Sequence, residues 1–406
     1  MTHIAVIGGG SAGFFAAIAC KQYDPAARVT IFEKSSKLLS KVKVSGGGRC
    51  NVTNSCKEMS RLVKHYPRGE KPLKKVFSQF GPKETIAWFE QRGVALKTEA
   101  DGRIFPVSDD SQTIIDCLIN EAKQSGVVIH TNKALQAIEV KPDNTFDLSF
   151  KDAEHVKADR VIVATGGSPK EKGLEPYKQN GHTISSPVPS LFTFNMPGDP
   201  IRELMGVSVE EANVRVTGTK LSSTGPLLIT HWGMSGPAIL KLSAFGARIL
   251  HDKQYHVQVQ VNWLGEIKEN ELREQWMSIT REMGNKKLVN ANPWKLPSRL
   301  WHFLLAKSAC SPELTWSTMP KKTTNKLINT LLNDAYDVKG KTTFKEEFVT
   351  CGGVSLQSID MNTMQSRAVP GMFFAGELID ADGITGGFNF QQAWSTGYVA
   401  GKNAVV

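Results

Sequence analysis

"HIAVIGGGSAGFFAAIACKQ", residues 3–22, decides the fold. His3–Ile7 reads as a short parallel strand buried on both faces. Gly8-x-Gly10-x-x-Gly13 follows it directly, and Phe14 onward reads as a helix. "RVTIFEK" (28–34) is a second strand, so the chain opens as a βαβ unit. At such a turn Gly8 permits the tight bend, Gly10 lets a diphosphate approach, and Gly13 lets helix pack on strand. Ser11 and Ala12 complete the turn, whose helix N-terminus favours phosphate. Glu33 ends the second strand twenty residues after Gly13, placed to accept from ribose hydroxyls, with Lys34 beside it. The arrangement is that of a dinucleotide site.

The remaining chain supports an α/β reading with an interruption. Residues 72–98 read as helical, 102–106 as a turn and short strand, and 112–126 as an amphipathic helix. "VVIHTNKALQAIEV" and "TFDLSF" read as strands, and "RVIVATGGS" (160–168) as a buried strand ending in Gly-Gly, with Thr165 and Gly166 expected to bind the cofactor. The pattern changes near Pro187–Pro189. Residues 190–262 alternate as strands, 268–336 read as helices, and 344–355 is strand-like again. "MFFAGELID" then forms an apolar strand ending at Gly376-Glu377, and "DGITGGFNFQQAW" sets Gly386 and Gly387 at a helix N-terminus. A nicotinamide dehydrogenase has no need of this second glycine-rich loop, whereas an FAD protein does. Ribityl hydroxyls need an acid acceptor at a strand end, for which Glu377 and Asp380 are candidates. The flavin N1/O2 edge gains from a helix N-terminus. FAD is the expected resident cofactor, bound non-covalently. Only one complete GxGxxG exists, so NAD(P)H is expected as a transient reductant.

"VIGGGSAGFFAAI", "KVKVSGGGRCNVTN", "GRIFP", "VIVATGGSP", "THWGMSGPAIL" and "FFAGELIDADGITGGFNFQQAWSTG" together resemble the BaiN/YhiN-like family of NAD(P)/FAD-dependent flavoproteins, in that family's order through nearly the whole chain. The resemblance implies a Rossmann-type FAD-binding domain (1–188 and 356–406) interrupted by a β-barrel-like insert (189–262 and 341–355), which carries a helical subdomain (263–340). It implies cofactor contacts at Gly8–Gly13, Glu33–Lys34, Lys41, Ser45, Gly46, Gly47, Gly48, Arg49, Asn51, Gly376–Glu377, and Asp382 through Gly386, Gly387, Phe388 and Asn389. Gly46–Gly48 are expected to lie against the flavin or its pyrophosphate, where a Cβ would clash, with Arg49 facing phosphate or the flavin edge. Cys351 departs from the alanine expected in relatives, which argues against a general catalytic role for it.

Composition is ordinary for a globular protein of 406 residues, with 40% hydrophobic and 22% charged residues. No apolar run is long enough to span a membrane, and the N-terminus lacks signal- or transit-peptide features. The six cysteines are scattered, without zinc-site spacing, so no metal is expected and a reducing cytoplasm is the simplest setting. The formal charge of +10 is concentrated. Between Lys34 and Lys75 lie twelve cationic residues against Glu58 and Glu70, an excess equal to that of the whole chain.

Candidate chemistry is thinner. Cys50 has three open roles: a buried structural thiol, an acid beside the flavin, or half of a redox pair with Cys56. His231 is a candidate acid that also reads as a packed histidine. The surrounding His231–Pro237 stretch is not a nucleophile elbow, because Pro237 replaces the final glycine; Ser235 is expected to cap the helix Pro237 begins. The resemblance points to hydride transfer from NAD(P)H through flavin to a conjugated C=C, or to amine oxidation. Lys57, Arg61, Lys64, Arg68, Lys71, Lys74 and Lys75 exceed what FAD and NADPH phosphates need and suit a polyanion. Tyr66, Phe77, Phe80 and Trp88 are candidate base-stacking residues. Uracil is itself an enone-like C5=C6 system, so ribosomal or transfer RNA, reduced to dihydrouridine, stands beside a small-molecule substrate and a non-catalytic flavin module.

Overall fold

The computed structural model describes residues 1–342 and 349–406. The part of the strand-like stretch 344–355 that falls in 344–348 lies outside the described residues. The chain divides into Met1–Ser190 with Lys345–Val406, and Leu191–Phe344.

In the first unit, five parallel strands run in the order Met372–Phe374, Arg160–Val163, His3–Ile7, Arg28–Phe32, Val128–His130. Ile359–Asp360 and Gln365–Ser366 extend the sheet antiparallel. Ile4, Ala5, Val6, Val161, Ile162 and Val163 are fully buried, as expected of short apolar strands covered on both faces. The chain winds outward in both directions from the adjacent pair His3–Ile7 and Arg160–Val163. This is a switch point, and its crevice opens at the carboxyl ends of the strands. The opening helix Ser11–Tyr23 packs on the closing helix Phe388–Ala404.

The single helix expected over 72–98 is two, Glu70–Phe77 and Pro82–Glu90, followed by the strand Leu96–Thr98. Gly81-Pro82 explains the break. Proline lacks the donor to continue the first helix but suits the start of the second, where the Glu84 side chain accepts from Gly81 N at 2.9 Å. Leu96–Thr98 pairs with Arg103–Pro106, which also pairs with Thr53–Asn54. Ile184–Ser190 pairs antiparallel with Val349–Val354, so the latter strand stands in this unit, whereas the sequence places 341–355 in the insert.

The second unit holds a seven-stranded antiparallel sheet whose terminal strands are Asp334–Lys339 and Lys341–Thr342. These two are consecutive in the chain, separated by Gly340 alone, so one stretch of chain supplies both outer strands of the sheet. Helices Glu269–Met283, Ser298–Lys307 and Lys321–Asn333 share one apolar core with the strands of this sheet, centred on Trp263, Trp276, Trp301 and Trp316. Pro237 does begin a helix, but its N-cap is Gly236; Ser235 lies in the preceding strand Gly233–Ser235.

Candidate cofactor site

The glycine turn lies at the switch-point crevice. Gly8 has φ +115°, and a Cβ there would sit 2.3 Å from Ala164 O. A Cβ on Gly13 would sit 1.9 Å from Gly8 O. Packing requires both glycines. Gly10 is different: its backbone is extended (φ −95°, ψ −172°), and a Cβ would meet nothing within 4 Å. The fold alone would tolerate a side chain, so this glycine leaves space that a ligand can fill.

Ser11 begins the opening helix and Ala12 is buried within it. Glu33 Oε2 accepts from Gly9 N at 2.8 Å, and Oε1 accepts from Ser35 N and Oγ, each at 2.9 Å. A carboxylate has about four acceptor sites, so one remains for a ribose hydroxyl. Lys34 is exposed. Glu33→Ala is expected to cost FAD about 1.5–3 kcal/mol, a 10- to 150-fold weaker Kd on titrating apoprotein, without unfolding the domain. Unchanged affinity would remove Glu33 as the ribose ligand.

In the SGGGRCN segment, Gly46, Gly47 and Gly48 have φ of 58°, 69° and 85°. The left-handed backbone demands glycine here, and a Cβ at Gly47 or Gly48 would point into open space. Arg49 is engaged by protein groups. Its guanidinium donates to Glu99 at 2.7 Å, lies 3.5 Å from Asp109 and stacks on Phe105 at 4.0 Å. Ser45 Oγ donates to Val42 O. Cys50 is fully buried, and burial pushes its thiol up to about 12 against the opposing hydrogen bond with Ser45. A thiol so far from neutrality is a poor proton donor. Cys50 and Cys56 are both free thiols, Cys50 buried and Cys56 partly exposed. His231 lies exposed in the second unit, edge-on to Trp232.

The closing loop is held by residues 51–68. Asn51, with its amide oriented to satisfy both ends, accepts from Gly387 N at 2.9 Å. Asn54 Nδ2 donates to Gly386 O at 3.1 Å, and Ile384 N donates to His65 O at 2.9 Å. Tyr66 Oη donates to Phe388 O at 2.8 Å, and His65 stacks on the Phe388 ring. Asn389 clasps Gly383 in both directions, at 2.8 and 2.9 Å. Gly387 caps the closing helix.

At the neighbouring strand end, Glu377 takes Lys41 Nζ at 2.5 Å and Thr350 N at 2.9 Å. Asp380 N donates to Val354 O. Thr165 is exposed at the carboxyl edge, next to Gly166 in the left-handed region. Two further residues escaped sequence reasoning. Thr350 Oγ1 and Gln392 Oε1 are buried without a partner among the described residues, while Gln392 Nε2 holds Ala381 O at 2.9 Å. Unpaired buried groups at this strand end fit a ligand as rich in hydroxyls and amide edges as FAD. Gln392 lies within the quoted closing segment and Thr350 outside the quoted motifs, but no periodicity or spacing singled out either one.

The basic belt is smaller than its sequence count. Arg68 is an interior residue, paired with the fully buried Asp382, and Asp382 in turn faces Arg68 and Ser190 instead of open space. Arg61 is exposed but pairs with Glu58 at 2.8 Å. Lys57, Lys64, Lys71, Lys74 and Lys75 remain exposed. Tyr66, Phe77, Phe80 and Trp88 are core residues, not a stacking platform. Helix amphipathicity explains the error: Leu73, Val76 and Phe77 face inward while Lys71, Lys74 and Lys75 face out.

Among the described residues no helix is long and apolar enough to cross a membrane. A 3-dehydro-bile acid delta(4,6)-reductase of Clostridium scindens is 29% identical over 414 residues, covering 100% of this chain and 99% of that protein. A ribosomal RNA dihydrouridine synthase of Escherichia coli is 28% identical over 410 residues, covering 98% and 97%. Among solved structures, a 3-ketosteroid-delta4-(5alpha)-dehydrogenase from Rhodococcus jostii RHA1 superposes with TM-score 0.53 at 14% identity, covering 100% of this chain and 97% of that one. A flavocytochrome c3 fumarate reductase gives TM-score 0.52 at 18% identity, covering 100% and 78%. The pattern of the HI0933-like protein Rossmann domain matches residues 2–403. The chain belongs to that family, the BaiN/YhiN-like group its motifs resemble, and its fold is of the FAD-binding Rossmann type.

Proposed function

We propose that this chain is an FAD-dependent reductase of a C=C bond conjugated to a carbonyl, acting on a uridine of ribosomal or transfer RNA. One observation carries the substrate choice. The inward residues of 51–68 hold the closing loop, while the outward residues of 57–75 present Lys57, Lys64, Lys71, Lys74 and Lys75. A cationic surface thus adjoins the loop assigned to the flavin, as a polyanionic substrate requires. Bound FAD would supply hydride, drawn from NAD(P)H and delivered to the electron-poor carbon, while an acid protonates its neighbour. The chain's own contribution would be placement: Gly10, where a side chain would meet nothing, would leave room for the diphosphate, Glu33 would accept from ribose, and the Gly387 cap would aim backbone N–H groups at the flavin.

A small-molecule substrate is the second reading. The burial of Tyr66, Phe77, Phe80 and Trp88 favours it, as does the 29% identity to a bile acid reductase. Mass spectrometry of ribosomal and transfer RNA from a deletion strain separates the two. Loss of a dihydrouridine, restored by the wild-type gene, is the expected result. Unaltered RNA would hand the lead to the small molecule.

A further inference from the structure

We infer that Arg68 and Asp382 form a positioning device that sets the closing loop against FAD, so that Asp382 acts on the cofactor through the loop and not by touching it. The inference rests on the FAD reading above. Asp382 is fully buried, and both its oxygens are taken. Oδ1 accepts from Arg68 Nε at 2.5 Å; Oδ2 accepts from Arg68 Nη2 and from Ser190 Oγ, the latter at 2.7 Å. The fork-on-carboxylate geometry fixes orientation as well as distance. The backbones of Arg68 and Asp382 also bridge antiparallel. Asp380 and Cys351 act electrostatically on the same guanidinium, so the pair sits in a wider polar group.

The pair lies at one end of the loop and a second set of restraints lies at the other. Beyond Asp382, Asn389 clasps Gly383, Ile384 N reaches His65 O, and Tyr66 Oη reaches Phe388 O. Residues 65–68 therefore grip 382–388 at both ends. A buried ion pair is a poor device for stability, because apolar replacements of similar volume often serve as well. It is a good device for fixing one arrangement of a glycine-rich loop, since Gly383, Gly386 and Gly387 supply no side chains of their own. The arrangement so fixed is the N-terminus of the closing helix, which on the FAD reading would face the flavin edge, where negative charge develops on reduction.

The test uses full-length protein and three variants, Arg68→Met, Arg68→Lys and the double variant Arg68→Met with Asp382→Leu. Arg68→Met strands a buried carboxylate and is expected to melt lower and to bind FAD at least 30-fold more weakly. The double variant is expected to recover the wild-type melting temperature but to stay at least 10-fold weak for FAD. Its two-electron midpoint potential should fall, by about 30 mV for each tenfold loss in preference for reduced flavin. Arg68→Lys keeps the charge and loses the fork, so it should fold while showing the same fall in potential, and it decides the matter if the double variant does not fold. Wild-type affinity and potential in the double variant, or in Arg68→Lys, would reduce the pair to a structural role. A wild-type protein that binds no FAD would instead overturn the proposed function.

Discussion

Gly10→Asp is expected to give a folded protein that carries no FAD. The substitution is compatible with the fold on every count. Gly10 is the N-cap of Ser11–Tyr23 in extended backbone, and a Cβ there meets nothing within 4 Å. Aspartate is among the preferred N-cap residues, so the apoprotein should melt no lower than wild-type apoprotein. The cofactor meets a different situation. On the proposed reading the space left at Gly10 is the path of the diphosphate, and a carboxylate there would occupy it and repel it. Like charges about 4 Å apart repel by about 4 kcal/mol at an effective dielectric of 20, roughly a thousandfold in Kd. The measurement is the flavin absorbance of purified protein, with fluorescence titration of apoprotein by FAD. Gly13→Val is the contrasting control: its side chain collides with Gly8 O, so it should lose fold and flavin together. A yellow Gly10→Asp protein with wild-type affinity would refute the assignment of the turn to the diphosphate.

The parts of the site that sequence exposes are those where backbone geometry dictates residue type. Gly8, Gly10, Gly13 and Glu33 are legible because strand, turn, helix and acid recur at fixed spacing. Gly46–Gly48 are legible as glycines, though the reason is left-handed backbone as much as close approach. Charge is legible only as a sum. Nothing in the residue types of 34–75 tells that Arg49 turns onto Glu99, that Arg68 turns inward to Asp382, or that Lys64 and Lys71 stay in water. The two arginine outcomes depend on contacts with segments 50 and 314 residues away along the chain, beyond the reach of any local pattern. The same holds for Asn51, Asn54 and Tyr66, which bracket a loop more than 300 residues downstream. The short interruption at Gly81-Pro82 was readable in principle, since Gly-Pro marks a break, but the apolar pattern on either side masked it.

Replacing Lys64, Lys71, Lys74 and Lys75 together by Glu is expected to abolish RNA binding while leaving FAD in place. Arg68 is excluded from the set because reversing it would strand Asp382 and confound the result. The four lysines are exposed, and none carries an ion pair among the described residues, so their loss breaks no ion pair among them. Each lost phosphate contact flattens the dependence of log K on log salt by roughly 0.7 for single strands, so the quartet should flatten it by about 3. Affinity at low salt should fall on the order of a thousandfold, since the reversed charges repel the backbone as well. Glutamates near the C-terminus of Glu70–Phe77 oppose the helix dipole at about 0.3–1 kcal/mol each, so a modest drop in melting temperature accompanies the change. A glutamine quartet removes that complication, and should show the flattened slope with a smaller loss of affinity. NAD(P)H oxidation with a small artificial acceptor should persist in both, because it needs only the flavin. If wild-type protein binds RNA no better than the glutamate quartet at physiological salt, the lysines are a solvated face. Lys57, Lys64, Lys71, Lys74 and Lys75 then say nothing about substrate, and the reaction belongs to a small conjugated ketone.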